Sequence, residues 1–160
     1  MISSRMQERL VKMAKKLVER KHRQYEHCGV ACKWLKMTES WGIKFTDRMY
    51  YLGEVFKNQF HGWQIGLAPY CFGLFEIKID GYTITGYITE IALLAREYLR
   101  TKIGGDWWDH TERLFGRSIK KMKKIITDHM GIRPNDLHED NWGFVNGKIV
   151  VTDWGFDGIN

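Results

Sequence analysis

Hydrophobic positions recur along the chain with two different periods. Met6, Leu10, Met13 and Leu17 stand at i, i+4, i+7 and i+11, with Val11, Ala14 and Val18 beside them. That spacing predicts an amphipathic helix within residues 1–26, with Lys12, Lys15, Lys16 and Arg20 on its wetter side. Residues 29–35 and 40–45 read as short strands around the polar turn Met37-Thr38-Glu39. Thr46-Asp47 is an N-cap signal, and Met49, Leu52, Phe56 and Phe60 then carry helical spacing to about residue 62. Residues 70–78 and 82–89 alternate as strands, with Asp80-Gly81 as the hairpin turn. Residues 90–100 and 107–130 are predicted helical, broken at Gly104-Gly105. A strand, the turn Asn146-Gly147 and a second strand follow over 142–152. This order predicts an α+β protein with a sheet-rich first half and a helical second half.

Composition narrows the picture. With 44% hydrophobic and 28% charged residues over 160 positions, the chain can bury a core, which excludes a disordered class. Its apolar runs, such as Ile91-Ala92-Leu93-Leu94-Ala95, are far shorter than the ~18 residues a membrane-spanning helix needs. Charge begins at Arg5 with no apolar signal core, so a cytoplasmic location and no membrane contact are expected. Cys28, Cys32 and Cys71 form no disulfide framework and read as reduced thiols. A zinc site of His27 with these cysteines would lack paired CxxC spacing.

Charge is unevenly placed. The net +6 resides in the first 25 residues, which hold eight Lys or Arg against Glu8 and Glu19. The basic helix either docks on the body or makes contact through its basic face, for which an acidic partner is expected ahead of nucleic acid or a membrane surface. Nucleic acid is not expected as the main partner, since the helix lacks interleaved aromatics and no known module accompanies it. A second basic run, residues 113–124, places Phe115, Ile119, Met122 and Ile126 at helical spacing. After it the sign reverses: Asp128, Asp136, Glu139, Asp140, Asp153 and Asp157 face only Arg133 and Lys148. Acids gathered there suggest a cation site.

Asp136-Leu137-His138-Glu139-Asp140-Asn141 precedes the last hairpin, and Asp153-Trp154-Gly155 follows it. The hairpin brings its two ends together, so Asp136, Asn141 and Asp153 can converge. A carboxylate, an amide oxygen and a second carboxylate are hard donors suited to Mg²⁺. A calcium loop would need glycine where Asn141 stands and glutamate where Gly147 stands. As plain turn residues, two Asp and one Asn exceed what the turn requires.

This segment resembles the protein-kinase-like superfamily, in the DLHxxN form of aminoglycoside-phosphotransferase-like and other atypical kinases. The resemblance implies a minimal bilobal fold over residues 1–160: the basic helix (1–26), an N-lobe (27–89) and a truncated helical C-lobe (90–160). It implies ATP and Mg²⁺ as cofactors, with Asp136 as catalytic residue accepting or orienting the acceptor's hydroxyl proton and Asn141 and Asp153 as metal ligands. For the phosphate-binding lysine, Val30-Ala31-Cys32-Lys33 matches by letters, but only the charged helix precedes it. Gly42-Ile43-Lys44 has a strand before it and a capped helix after it, which favours Lys44, with Glu54 as its helix partner. Gly29 is what remains of a glycine-rich loop. The adenine is expected against the backbone of Thr89, Glu90 and Ile91, with Ile43 among the apolar contacts.

The sequence departs from the family pattern before Asp136, where Pro134-Asn135 replaces His-Arg, and it ends five residues beyond Gly155. That resembles small bacteriophage kinases. Two function classes stay open. One is a kinase acting on a protein Ser/Thr/Tyr or small-molecule hydroxyl. The other is a non-catalytic kinase fold that binds and inhibits a partner, as in host takeover or anti-defence. A homodimer is one way to supply the missing substrate platform.

Overall fold

The computed structural model describes residues 2–25, 32–47, 49–96, 99, 113, 118–131 and 141–154. The chain forms two units, Met1–Lys57 with Tyr70–Ile91, and Asn58–Pro69 with Ala92–Asn160.

The first unit opens with helix α1 (Ser4–Lys21), continued by a 3-10 turn His22–Tyr25. Ser3 caps α1: its side chain accepts from Met6 N at 3.3 Å, satisfying one otherwise orphaned donor. Strands β1 (Lys33–Lys36), β2 (Trp41–Thr46), β3 (Cys71–Ile79) and β4 (Tyr82–Glu90) form an antiparallel sheet in the order β1-β2-β4-β3. Helix α2 (Met49–Gln64) separates β2 from β3. Asp80 and Gly81 both take positive φ, 49° and 82°, the backbone of a type I′ turn whose twist matches the strands it joins. Thr46, expected to cap α2, is instead the buried last residue of β2.

One face of this sheet lies under α1. Leu10, Ala14 and Val18 pack there with Leu35, Ile43, Phe45, Phe72, Phe75, Ile77, Ile84 and Ile88. Each large side chain so buried contributes ~1.5–3 kcal/mol relative to exposure. The seam runs through Ala14 and not along the Met6–Met13 line expected from spacing; Met6 and Met13 stay 44% and 42% exposed. Small Ala14 lets the helix approach closely. A β-bulge between Phe72 and Phe75 holds Gly73 at φ 70°, where Val11 packs against its bare Cα.

In the second unit, helix α3 (Ile119–Met130) is capped by Ser118 and closed by Gly131 in the left-handed conformation, φ 65°. It buries Met122 and Ile126. Strands β5 (Leu93–Leu94), β6 (Trp142–Val145) and β7 (Lys148–Val151) make an antiparallel sheet in that order. Leu93-Leu94, expected to be helical, pairs with Phe144 and Gly143. The edge of the hairpin decides here over local propensity. The second half therefore holds a sheet as well as helix. Among the described residues no helix is long and apolar enough to cross a membrane.

Candidate functional site

Each unit carries one group of candidate side chains. In the first, Lys44 sits in the middle of β2, opposite Trp34 on β1 and Tyr87 on β4. Strand side chains alternate between faces. Lys44 therefore shares with Gly42, Thr46, Thr85, Tyr87, Thr89 and Cys71 the face turned away from α1. α2 contributes to this face. Phe56 meets Tyr87 edge-on with ring centroids 5.2 Å apart, and the Cys71 thiol donates to Phe56 O at 3.9 Å. Burial pushes the Cys71 thiol up to about 12, while the positive charge of Lys44 pulls in the other direction. Cys71 is thus an inert thiol within reach of the Lys44 field.

In the second unit, Asn141 and Asp153 flank the β6–β7 hairpin. Thr152 N donates to Asn141 O at 2.8 Å, continuing the ladder one step past Trp142–Val151. The turn residues Asn146 and Gly147, at φ 50° and 76°, again give a I′ turn. Asp153 is exposed, and its neighbour Trp154 is fully buried. Trp154 Nε1 donates to Val151 O at 2.8 Å, and Trp154 O accepts from Asn58 Nδ2 at 3.4 Å. The indole ring packs against Gly62 so closely that a Cβ there would overlap it. Val151 N donates to Leu67 O at 2.8 Å. These anchors fix the backbone on either side of an exposed carboxylate.

Compared with known proteins, the chain matches no protein-family model and no curated protein.

The structure sorts the expected site residues. Asn141 and Asp153 come to the same end of one hairpin. Asp136 and Gly29 lie outside the described residues. Glu54 is not brought to Lys44: its side chain is 69% exposed and accepts from Lys57 Nζ at 3.4 Å, one turn along α2. The reason is helical phase, since α2 buries Leu52, Val55, Gln59 and Gly62, and Glu54 falls off that stripe. Ile43 is a second correction. Adjacent strand residues face opposite ways, so Ile43 lies fully buried in the α1 core, away from Lys44. Thr89 is on the Lys44 face and donates its hydroxyl to Glu90 O at 3.3 Å. Glu90 N donates to Tyr70 O at 2.8 Å and Ile91 N to Ser40 O at 2.9 Å, so these two backbone amides are engaged within the chain.

Two residues that sequence reasoning passed over share the Lys44 face. Gly42 stands two positions before Lys44, and the Trp34 indole covers it: an added Cβ would fall 2.7 Å from Trp34 Cζ2. Trp34 nevertheless remains 45% exposed. Counting by two from Lys44 would have found Gly42. The β1–β2 register supplies Trp34.

Proposed function

We propose that this chain is a minimal ATP-dependent phosphotransferase with a protein-kinase-like, bilobal fold. The observation that carries the reading is the β6–β7 hairpin, which sets an amide and an exposed carboxylate at one end and pins them through buried Trp154. The first unit adds support. A lysine strand, a helix and an antiparallel strand pair follow one another as the resemblance requires, and the last strand lies beside the lysine strand.

The donor set fits magnesium, since Asn141 and Asp153 offer oxygen donors; among the described residues no three His, Cys, Asp or Glu come together. When bound, the ion supplies positive charge that neutralises the nucleotide phosphates. In the first unit, Lys44 would offer positive charge to a nucleotide phosphate. On this reading the acceptor oxygen would form its bond to the γ-phosphorus as the bond to the β,γ-bridging oxygen breaks, and ADP would leave with that electron pair. Asp136 takes the hydroxyl proton. Acceptors of this chemistry are protein Ser/Thr/Tyr or small-molecule hydroxyls.

That Glu54 meets Lys57 and not Lys44 leaves room for a second reading, a non-catalytic kinase fold that binds and inhibits a partner. Transfer of labelled γ-phosphate, to the chain itself or to a mixed protein substrate, separates the two. Transfer by the natural chain that is lost in both Asp136→Asn and Asp153→Asn supports the enzyme. Binding of ATP without any transfer supports the scaffold.

A further inference from the structure

We infer that the outward face of α1 binds the phosphate backbone of a nucleic acid, without regard to base sequence. Arg5, Arg9, Lys12, Lys16 and Arg20 stand at i, i+4, i+7, i+11 and i+15 and are all exposed. They form one stripe ~22 Å long. The buried residues Leu10, Ala14 and Val18 are on the other side of the helix. Among the described residues, none of the five closes an ion pair, and neither do Glu8 or Glu19 at the edge of the stripe.

Helix stability does not account for this arrangement. Successive members of the stripe are like-charged at i,i+3 or i,i+4, which destabilises a helix. The dipole favours Arg20 in the last turn, but the first turn holds Arg5 and no acid, against the dipole. A row of anions relieves both penalties. The chemistry of the face selects which anion. An acidic protein would call for a buried aromatic anchor at the centre, where lysine is depleted, and the exposed large hydrophobics of α1 are Met6 and Met13, neither of them aromatic. A membrane helix inserts its apolar side, which α1 has buried against the sheet. Phosphates along a strand need only regularly placed Lys and Arg. The stripe also holds much of the charge that makes the chain basic, so its field is concentrated. The surface lies on the sheet face opposite Lys44 and is independent of the phosphotransfer reading.

Fluorescence anisotropy of the full chain with a labelled random duplex of ~20 base pairs tests this, beside the single strand. With up to five phosphates neutralised, log affinity should fall against log salt with a slope near −4.5, roughly 500-fold between 50 and 200 mM. A triple Arg9→Gln, Lys12→Gln, Lys16→Gln variant should flatten that slope by about 3 and bind at least ~100-fold more weakly at low salt. Glutamine preserves helix propensity, and circular dichroism verifies the fold. Lys120→Gln with Lys121→Gln on α3 should leave binding unchanged. A natural-chain slope shallower than about −2, unaltered binding by the triple variant, or tighter binding to polyglutamate or phosphatidylserine vesicles overturns the proposal.

Discussion

The two faces of the first unit's sheet share strands and hydrogen bonds, yet their side chains differ in kind. Under α1 the buried side chains are aliphatic and aromatic, from Ile43 and Phe45 to Ile84 and Ile88. The other face carries Lys44, Thr46, Thr85, Tyr87, Thr89 and Cys71. A strand period of two sends neighbouring residues to opposite faces, so Ile43 is buried under α1 while Lys44 stands on the other face. On the phosphotransferase reading proposed above, the residues that hold the unit together and the lysine assigned to the phosphates lie on opposite faces of one strand.

That separation breaks or holds at adjacent positions. Phe45→Ala should remove ~3–5 kcal/mol in urea unfolding, whereas Lys44→Met should change stability by less than ~1 kcal/mol while abolishing ATP-induced stabilisation. Equal losses at the two sites would erase the distinction between the faces. In the second unit Trp154→Ala should also remove ~3–5 kcal/mol, because the ring fills the space against Gly62.

Cys71 sharpens the comparison through pH. Its folded pKa, about 12, lies above the ordinary 9.0, so the folded chain holds the proton longer than the unfolded one. The stability it contributes is whole below pH 9 and is lost as pH rises from about 9 to 12, by at most ~1.4 kcal/mol per pH unit. Unfolding of Cys71→Ala across that range should lack this component; identical slopes would place the thiol in water. Gly147→Ala should cost ~1 kcal/mol because its φ is 76°. Smallest of all, Glu54→Gln should shift stability by no more than ~0.3 kcal/mol, as an exposed i,i+3 partner of Lys57. A loss of 2 kcal/mol or more would mean Glu54 has a buried partner after all.

How far the sequence was legible depended on whether a residue's role is local. Asp80-Gly81 and Asn146-Gly147 announced their hairpins because a I′ turn demands positive φ at both positions. The second of those turns then placed Asn141 and Asp153 together by strand pairing alone. Which face of β2 meets α1 is a tertiary fact, so Ile43 was assigned to the wrong side. Glu54 was misplaced because its acidic type outweighed its position in the helix phase. Leu93-Leu94 is too short to show any period, and it is a strand only because β6 lies beside it. Trp34 over Gly42 needed the β1–β2 register, which the turn at residues 37–40 does not announce.

The most direct test of the phosphotransferase reading is thermal unfolding with ATP, with and without Mg²⁺, of the natural chain and of Asp153→Asn. ATP at ~100 times its dissociation constant adds ~2.7 kcal/mol, a rise of about 5–10 °C in Tm for a chain of this size. The account predicts a rise that requires Mg²⁺ and is absent in Asp153→Asn. No rise with saturating Mg²⁺-ATP, or an equal rise in the variant, would contradict it.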